Sequence, residues 1–187
     1  MHYGLVFLLS LFVSILESWG AEWQPEAHGA QAVEAAVQTT QHLFSDTELA
    51  DVSVFLRRIA KVESQYGEDS RTYRPHYFGG IWQMDRVAYE ETKRVSAHPR
   101  LAKWHCAIQK KSAESGLRPI EWSSTRWEQL AAPAYSCLAA RLYLATIPES
   151  VPTSLAGQAA YWKKYYNTSA GAGTERGFLR ENQGLGT

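Results

Sequence analysis

Leu49, Val52, Leu56 and Ile59 recur at intervals of three and four residues, and Phe55 and Val62 widen the same stripe. That spacing lays an apolar face along an α-helix, and such a face demands a second surface to cover it. Ser45 with Glu48 three positions later has the pattern of a capping box, so the spacing predicts a helix that starts there and runs to about residue 65. Gly67 and the polar residues after it stop that helix. Weaker helical signals cover residues 26–43, 85–96, 100–113 and 155–167. Another helix begins near Ser123 or after Pro133 and runs through an Ala-rich stretch to Ile147, where Pro148 ends it. The Gly-rich segment from Ser169 and the polar tail behind it carry no helical period.

Gly67 to Ile81 breaks the pattern. It holds three Gly, one Pro and several aromatics, and reads as an irregular loop or small β-hairpin, a lip beside a cleft. The expected fold is therefore mainly α, one helical domain with little sheet. The length of 187 residues suits a single core of that kind. Nineteen Lys and Arg balance nineteen Asp and Glu. That balance offers no field for capturing nucleic acid or an anionic membrane.

Residues 5–16 form a short apolar core, followed by Ser18 and Gly20 at the minus-three and minus-one positions of a cut before Ala21. Twelve residues fall short of the roughly 20 that a membrane span needs. The sequence predicts an export signal over 1–20 and one domain over 21–187, secreted and without membrane insertion. An oxidising compartment would let Cys106 and Cys137 pair, worth about 3–4 kcal/mol for an unstrained loop of that size; the other reading is two small buried hydrophobes that never meet. Asn167-Thr168-Ser169 is a formal glycosylation sequon.

Glu63 follows Ile59 by four and Leu56 by seven, which places a carboxylate on the inward face near the end of its helix. Burial there raises a carboxyl pKa, and the negative end of the helix dipole acts in the same direction. Such a group is suited to donate a proton near neutral pH. The alternative is a boundary Glu that turns to solvent or pairs with Arg57, Arg58 or Lys61.

The run Glu63-Ser64-Gln65-Tyr66-Gly67 resembles the Glu-Ser-x-x-Gly helix end of goose-type lysozymes, and its opening Glu-Ser also begins the first motif of bacterial lytic transglycosylases. Gly80-Ile81-Trp82-Gln83-Met84 is similar to their Gly-Leu-Met-Gln-Ile/Val segment, and Asp85 extends the likeness toward the goose type. Tyr135 to Leu144 resembles their core helix, and Ala159-Ala160-Tyr161 the start of an Ala-Ala-Tyr-Asn signature. The resemblance spans residues 45–168. It departs from the family at Ser136 and Cys137, where Asn and Ile are usual, and at Trp162, where Asn is usual.

The resemblance implies cleavage of the β-1,4 bond after N-acetylmuramic acid in peptidoglycan, with no cofactor or metal. It implies Glu63 as general acid and Asp85 as the base that positions water, with a helix cap as the other reading of Asp85. It places Gln83 and the backbone at Gly80 and Ile81 against an N-acetyl or hydroxyl group, and Tyr161 across the cleft toward Glu63 or the sugar, with an ordinary core or interface tyrosine as the other reading of Tyr161. Trp82 and Tyr77 either stack on sugar rings or fill the loop. If no water is used, the sugar's own C6 hydroxyl attacks and the enzyme is a lytic transglycosylase. A secreted glycan-binding protein without turnover is the non-catalytic alternative. The scattered histidines show no zinc spacing, and no phosphate-binding loop is present.

Overall fold

The computed structural model describes residues 22–168 and 171–184. The expected export signal over 1–20 and Ser169 of the sequon lie outside these residues. Seven α-helices form the frame of the described chain: α1 (Ala30–Leu43), α2 (Ser53–Ser64), α3 (Arg86–Glu91), α4 (Leu101–Glu114), α5 (Pro133–Thr146), α6 (Leu155–Tyr161) and α7 (Glu175–Asn182). Two 3₁₀ turns, Trp122–Ser124 and Trp127–Ala131, lead into α5, and a π-helical turn, Trp162–Asn167, continues α6.

Helix α5 is the hub. Pro133 sits at its first turn, where a missing N–H costs nothing. Ala134, Cys137, Leu138, Ala139, Ala140, Leu142 and Leu144 are all buried, so the helix is apolar around most of its circumference. It packs against α1, α2, α3 and α4. Helix α1 presents Val33, Ala36, Val37 and Leu43 to it, and α2 presents Phe55, Leu56, Ile59 and Ala60 to the same core. Burying each large side chain of these stripes contributes roughly 1.5–3 kcal/mol. Helix α7 closes the far side of α2 and α6 by inserting Phe178 between Phe55 and Trp162.

Four expectations are corrected. The capping box of Ser45 and Glu48 does not form. Residues 44–48 are turns, Glu48 pairs with Lys103 and Ser45 donates to Asp46. Helix α2 starts instead at Ser53, whose N–H donates to Asp51 at 2.7 Å. A tertiary partner for Glu48 decides this, and a local pattern does not reveal one. Helix α7, read as an irregular tail, is opened by Thr174, which accepts from the N–H of Gly177 at 3.0 Å. Its one deeply buried apolar side chain, Phe178, joined only by the polar Asn182, is too little to write a stripe into the sequence.

The expected β-hairpin beside the cleft is absent, since no strand occurs among the described residues. The backbone of this segment finds side chains and close turns instead of a ladder. The Gly79 carbonyl accepts from Ser136 Oγ at 2.9 Å, and the Gly80 and Thr72 carbonyls accept from Gln83 Nε2 at 2.6 and 3.3 Å. With those groups satisfied, strand pairing has nothing to add.

The expected Cys106–Cys137 disulfide is also absent. Both thiols are free: Cys137 is enclosed in the face of α5 near Thr40 of α1, whereas Cys106 is exposed on α4. Burial pushes the Cys137 thiol up to about 12.

Candidate active site

Helix α2 ends at Ser64, and the next three residues, Gln65, Tyr66 and Gly67, all have positive φ. Ser64 makes this reversal hold. Its buried hydroxyl donates to the Ala60 carbonyl at 3.2 Å and accepts from the Gly67 N–H at 2.8 Å, while its own carbonyl accepts from the Asp69 N–H at 3.0 Å. A Cβ on Gly67 would stand 2.8 Å from His28 Cβ, so both the φ and the space call for glycine. The Glu-Ser-x-x-Gly run thus turns the chain back on itself and carries Asp69 to the same cleft as Glu63.

That cleft, about 340 Å³, is lined by Glu63, Asp69, Arg71, Thr72, Arg74 and Gln83. A larger hollow of about 600 Å³ lies between Arg118 and Tyr135, but its one carboxylate, Glu121, is exposed. The chemistry therefore points to the smaller cleft.

Glu63 is hemmed in by protein while part of its side chain stays open to the cleft. Desolvation pushes its carboxyl up to about 7, against the partial relief of one hydrogen bond, from Trp162 Nε1 to Oε1 at 2.8 Å. The expected alternatives do not occur. Arg57 forms a bidentate pair with Glu34, and Arg58 donates to Gln158. Because Oε1 is engaged by a donor, a proton on this carboxyl resides on Oε2, the oxygen left to the cleft.

Asp69 is in the opposite condition. Arg71 grips it through Nε at 3.1 Å, Nη2 at 2.8 Å and its backbone N–H at 2.9 Å, and these bonds hold Asp69 down at about 2. Two carboxyls of one cleft are thereby driven apart, one neutral and one charged at the same pH.

The loop from Gly79 to Met84 forms the wall beside them. Ser136 on α5 holds it by donating to the Gly79 carbonyl and accepting from the Trp82 N–H at 3.2 Å. A Cβ on Gly80, which has φ of +60°, would collide with the Leu130 carbonyl oxygen at 2.0 Å. From the other side, Tyr166 donates to the Trp82 carbonyl at 2.7 Å, and Trp127 Nε1 donates to the Met84 carbonyl at 3.2 Å.

The expected substrate contacts divide. Gln83 lines the cleft, but both N–H groups of its amide are spent on Gly80 and Thr72, and its Oε1 accepts from Arg74 at 2.9 Å. Trp82 and Ile81 are fully buried, and Trp82 Nε1 donates to the Leu56 carbonyl at 3.0 Å, so Trp82 has no face for a sugar. Gly80 is buried beneath the loop. Tyr77 has the Arg74 guanidinium 3.5 Å from its ring centroid and the edge of Trp127 beside it, and its hydroxyl donates to the Gln83 carbonyl at 2.6 Å. It braces the wall.

Tyr161 does not reach Glu63. It is buried against Phe55, and its hydroxyl donates to the Glu149 carbonyl at 3.1 Å. The neighbouring Trp162, a departure from the resembled signature, makes the contact instead. Asp85 is exposed and accepts from the Ala88 N–H at 2.7 Å as the N-cap of α3. It does not line the cleft, although its charge and that of Glu63 both reach Tyr77.

Asp69, Trp162 and Tyr166 were not read as site residues from the sequence. A signal was available for Trp162 and Tyr166, since an aromatic cluster at i and i+4 stands where the resembled signature has a single Asn. For Asp69 there was none beyond its place in the turn after Glu63. The π-helical turn after α6 carries both aromatics, one to Glu63 and one to the loop carbonyl at Trp82, and such turns recur at functional sites. Among the described residues no helix is long and apolar enough to cross a membrane, and no group of three or more His, Cys, Asp or Glu is placed to hold a metal ion. In comparisons with protein families, curated proteins and solved structures, nothing matches this chain.

Proposed function

We propose that this chain is a peptidoglycan-cleaving glycosidase, a lysozyme that hydrolyses the β-1,4 bond between N-acetylmuramic acid and N-acetylglucosamine. The observation that carries the reading is the pair of carboxyls in one cleft, Glu63 raised to about 7 and Asp69 lowered to about 2. The motif likeness at Glu63–Gly67 and Gly80–Asp85 supports the substrate. Glu63 Oε2 gives its proton to the glycosidic oxygen as the C1–O bond breaks, and Asp69 stays ionised to stabilise the positive charge that develops at the sugar. A water oxygen then bonds to C1 and loses its proton to the ionised Glu63, which restores the acid. The base role expected of Asp85 is not needed in this scheme, where it caps α3.

One observation favours a second reading. The three bonds from Arg71 make Asp69 a weak base, and a lytic transglycosylase needs none for water. In that reaction the C6 hydroxyl of the same sugar attacks C1 and Glu63 receives its proton.

Mass spectrometry of the fragments released from purified peptidoglycan by the protein, with Glu63→Gln as control, separates these outcomes. Fragments with one water added per cut support the lysozyme. Anhydro-ended fragments transfer the assignment to the transglycosylase. Release no greater than that of Glu63→Gln overturns both.

A further inference from the structure

The geometry points to Arg74 as a specificity-determining residue that receives a carboxylate carried by the glycan strand beside the scissile bond, so that the substrate of this cleft is an anionic glycan. The inference rests on the glycosidase reading of the Glu63 cleft and deepens it.

Of the charged groups lining the cleft, Asp69 and Arg71 neutralise each other through a bidentate pair, and Glu63 is uncharged when it holds its catalytic proton. Arg74 remains, with no ion pair to any described carboxylate. Asp69 feels the Arg74 charge as well as that of Arg71, so the lining of the form that is ready to react sums to one net positive charge. That charge is held in place. Nη1 donates to the Arg71 carbonyl and to Gln83 Oε1, both at 2.9 Å, and the guanidinium lies over the Tyr77 ring. An arginine on the surface ordinarily loses side-chain freedom when it binds. One stacked and doubly bonded has already lost most of it, and its remaining N–H groups form a planar fork suited to a carboxylate.

Peptidoglycan offers that group from two sources. The lactyl ether of N-acetylmuramic acid is a free carboxylate when the strand is bare, whereas on substituted strands the carboxylates belong to the stem peptide. Chitin oligosaccharides have the same β-1,4 backbone and no carboxylate.

The test compares kcat/KM for fragment release from bare strands, peptide-substituted strands and chitin oligosaccharides, for wild type, Arg74→Gln and Arg74→Lys. The same three glycans are titrated against Glu63→Gln by tryptophan fluorescence, which reads binding without turnover. The expected result is a preference of about tenfold or more for one anionic strand over chitin. The preference should weaken as salt rises, collapse in Arg74→Gln and persist in part in Arg74→Lys. Which strand is preferred identifies the carboxylate as lactyl or peptidic. Equal handling of all three glycans, or an anionic preference untouched by Arg74→Gln, overturns this inference and leaves the glycosidase reading standing. Failure to bind or cleave any of the three overturns both.

Discussion

On the glycosidase reading proposed above, Glu63 and Trp162 together decide the acid. A general acid works only while protonated, so with its carboxyl near 7 activity should hold below neutrality and descend above it. Glu63→Gln should lower kcat by about 10²-fold or more at every pH, measured as fragment release, because the amide has no proton to give. Trp162→Phe removes the N–H that favours the ionised carboxylate. Its descending limb should move to higher pH by about one unit. A pH–rate profile checks this, and a limb that stays in place would show that Trp162 serves packing alone. Glu63 was legible in the sequence because helical period places it on a buried face. Trp162 and Asp69 were not, since what they touch lies on other segments.

At the scale of elements, the wall of the cleft depends on one buried hydroxyl and one glycine. Ser136→Ala would strand the buried Trp82 N–H and leave the Gly79 carbonyl with the Met84 N–H alone, at a cost of about 1–3 kcal/mol in denaturant unfolding. Gly80→Ala adds a positive-φ penalty to a 2.0 Å approach to Leu130 O. It should cost more than Ser136→Ala and reduce kcat/KM by freeing the loop that presents Gln83 and Arg74. Helical period located most of the helices to within a few residues. It misplaced the start of α2, missed α7 and left the loop open between irregular and hairpin forms. Alternation and turn chemistry are local, whereas this loop is satisfied by Ser136, Trp127 and Tyr166 from distant parts of the chain.

For the whole molecule, two acids bind protons more tightly folded than unfolded. Burial also pushes Glu22 up to about 7, and its Oε2 accepts from Thr39 Oγ1 at 2.6 Å. A carboxyl raised in the folded state contributes stability below its unfolded value of 4.5 and loses it as pH rises to about 7. The loss for each is roughly 3 kcal/mol for a shift of this size. Burial lowers the pKa of His105, which works in the opposite direction below its ordinary 6.5. The measurement is therefore a difference: Glu22→Gln and Glu63→Gln should each gain stability relative to wild type between pH 5 and pH 8. A difference independent of pH would remove the buried-acid account. The free thiols give a second whole-molecule test. Under native conditions one cysteine, Cys106, should react quickly with a thiol reagent, and Cys137 should follow only on unfolding; reductant should leave Tm unchanged.

The sequence by itself determined the helical class and the stop that Gly67 puts to α2, and it offered Glu63 an inward face beside a boundary alternative, because each follows from contacts within a few residues. The tertiary structure alone decided that Trp162 rather than Tyr161 meets the acid, that Asp69 rather than Asp85 shares its cleft, and that the two cysteines stay apart. Those outcomes depend on how α2, α5 and α6 are brought together around one core, and neither spacing nor composition encodes which side chains meet across that distance.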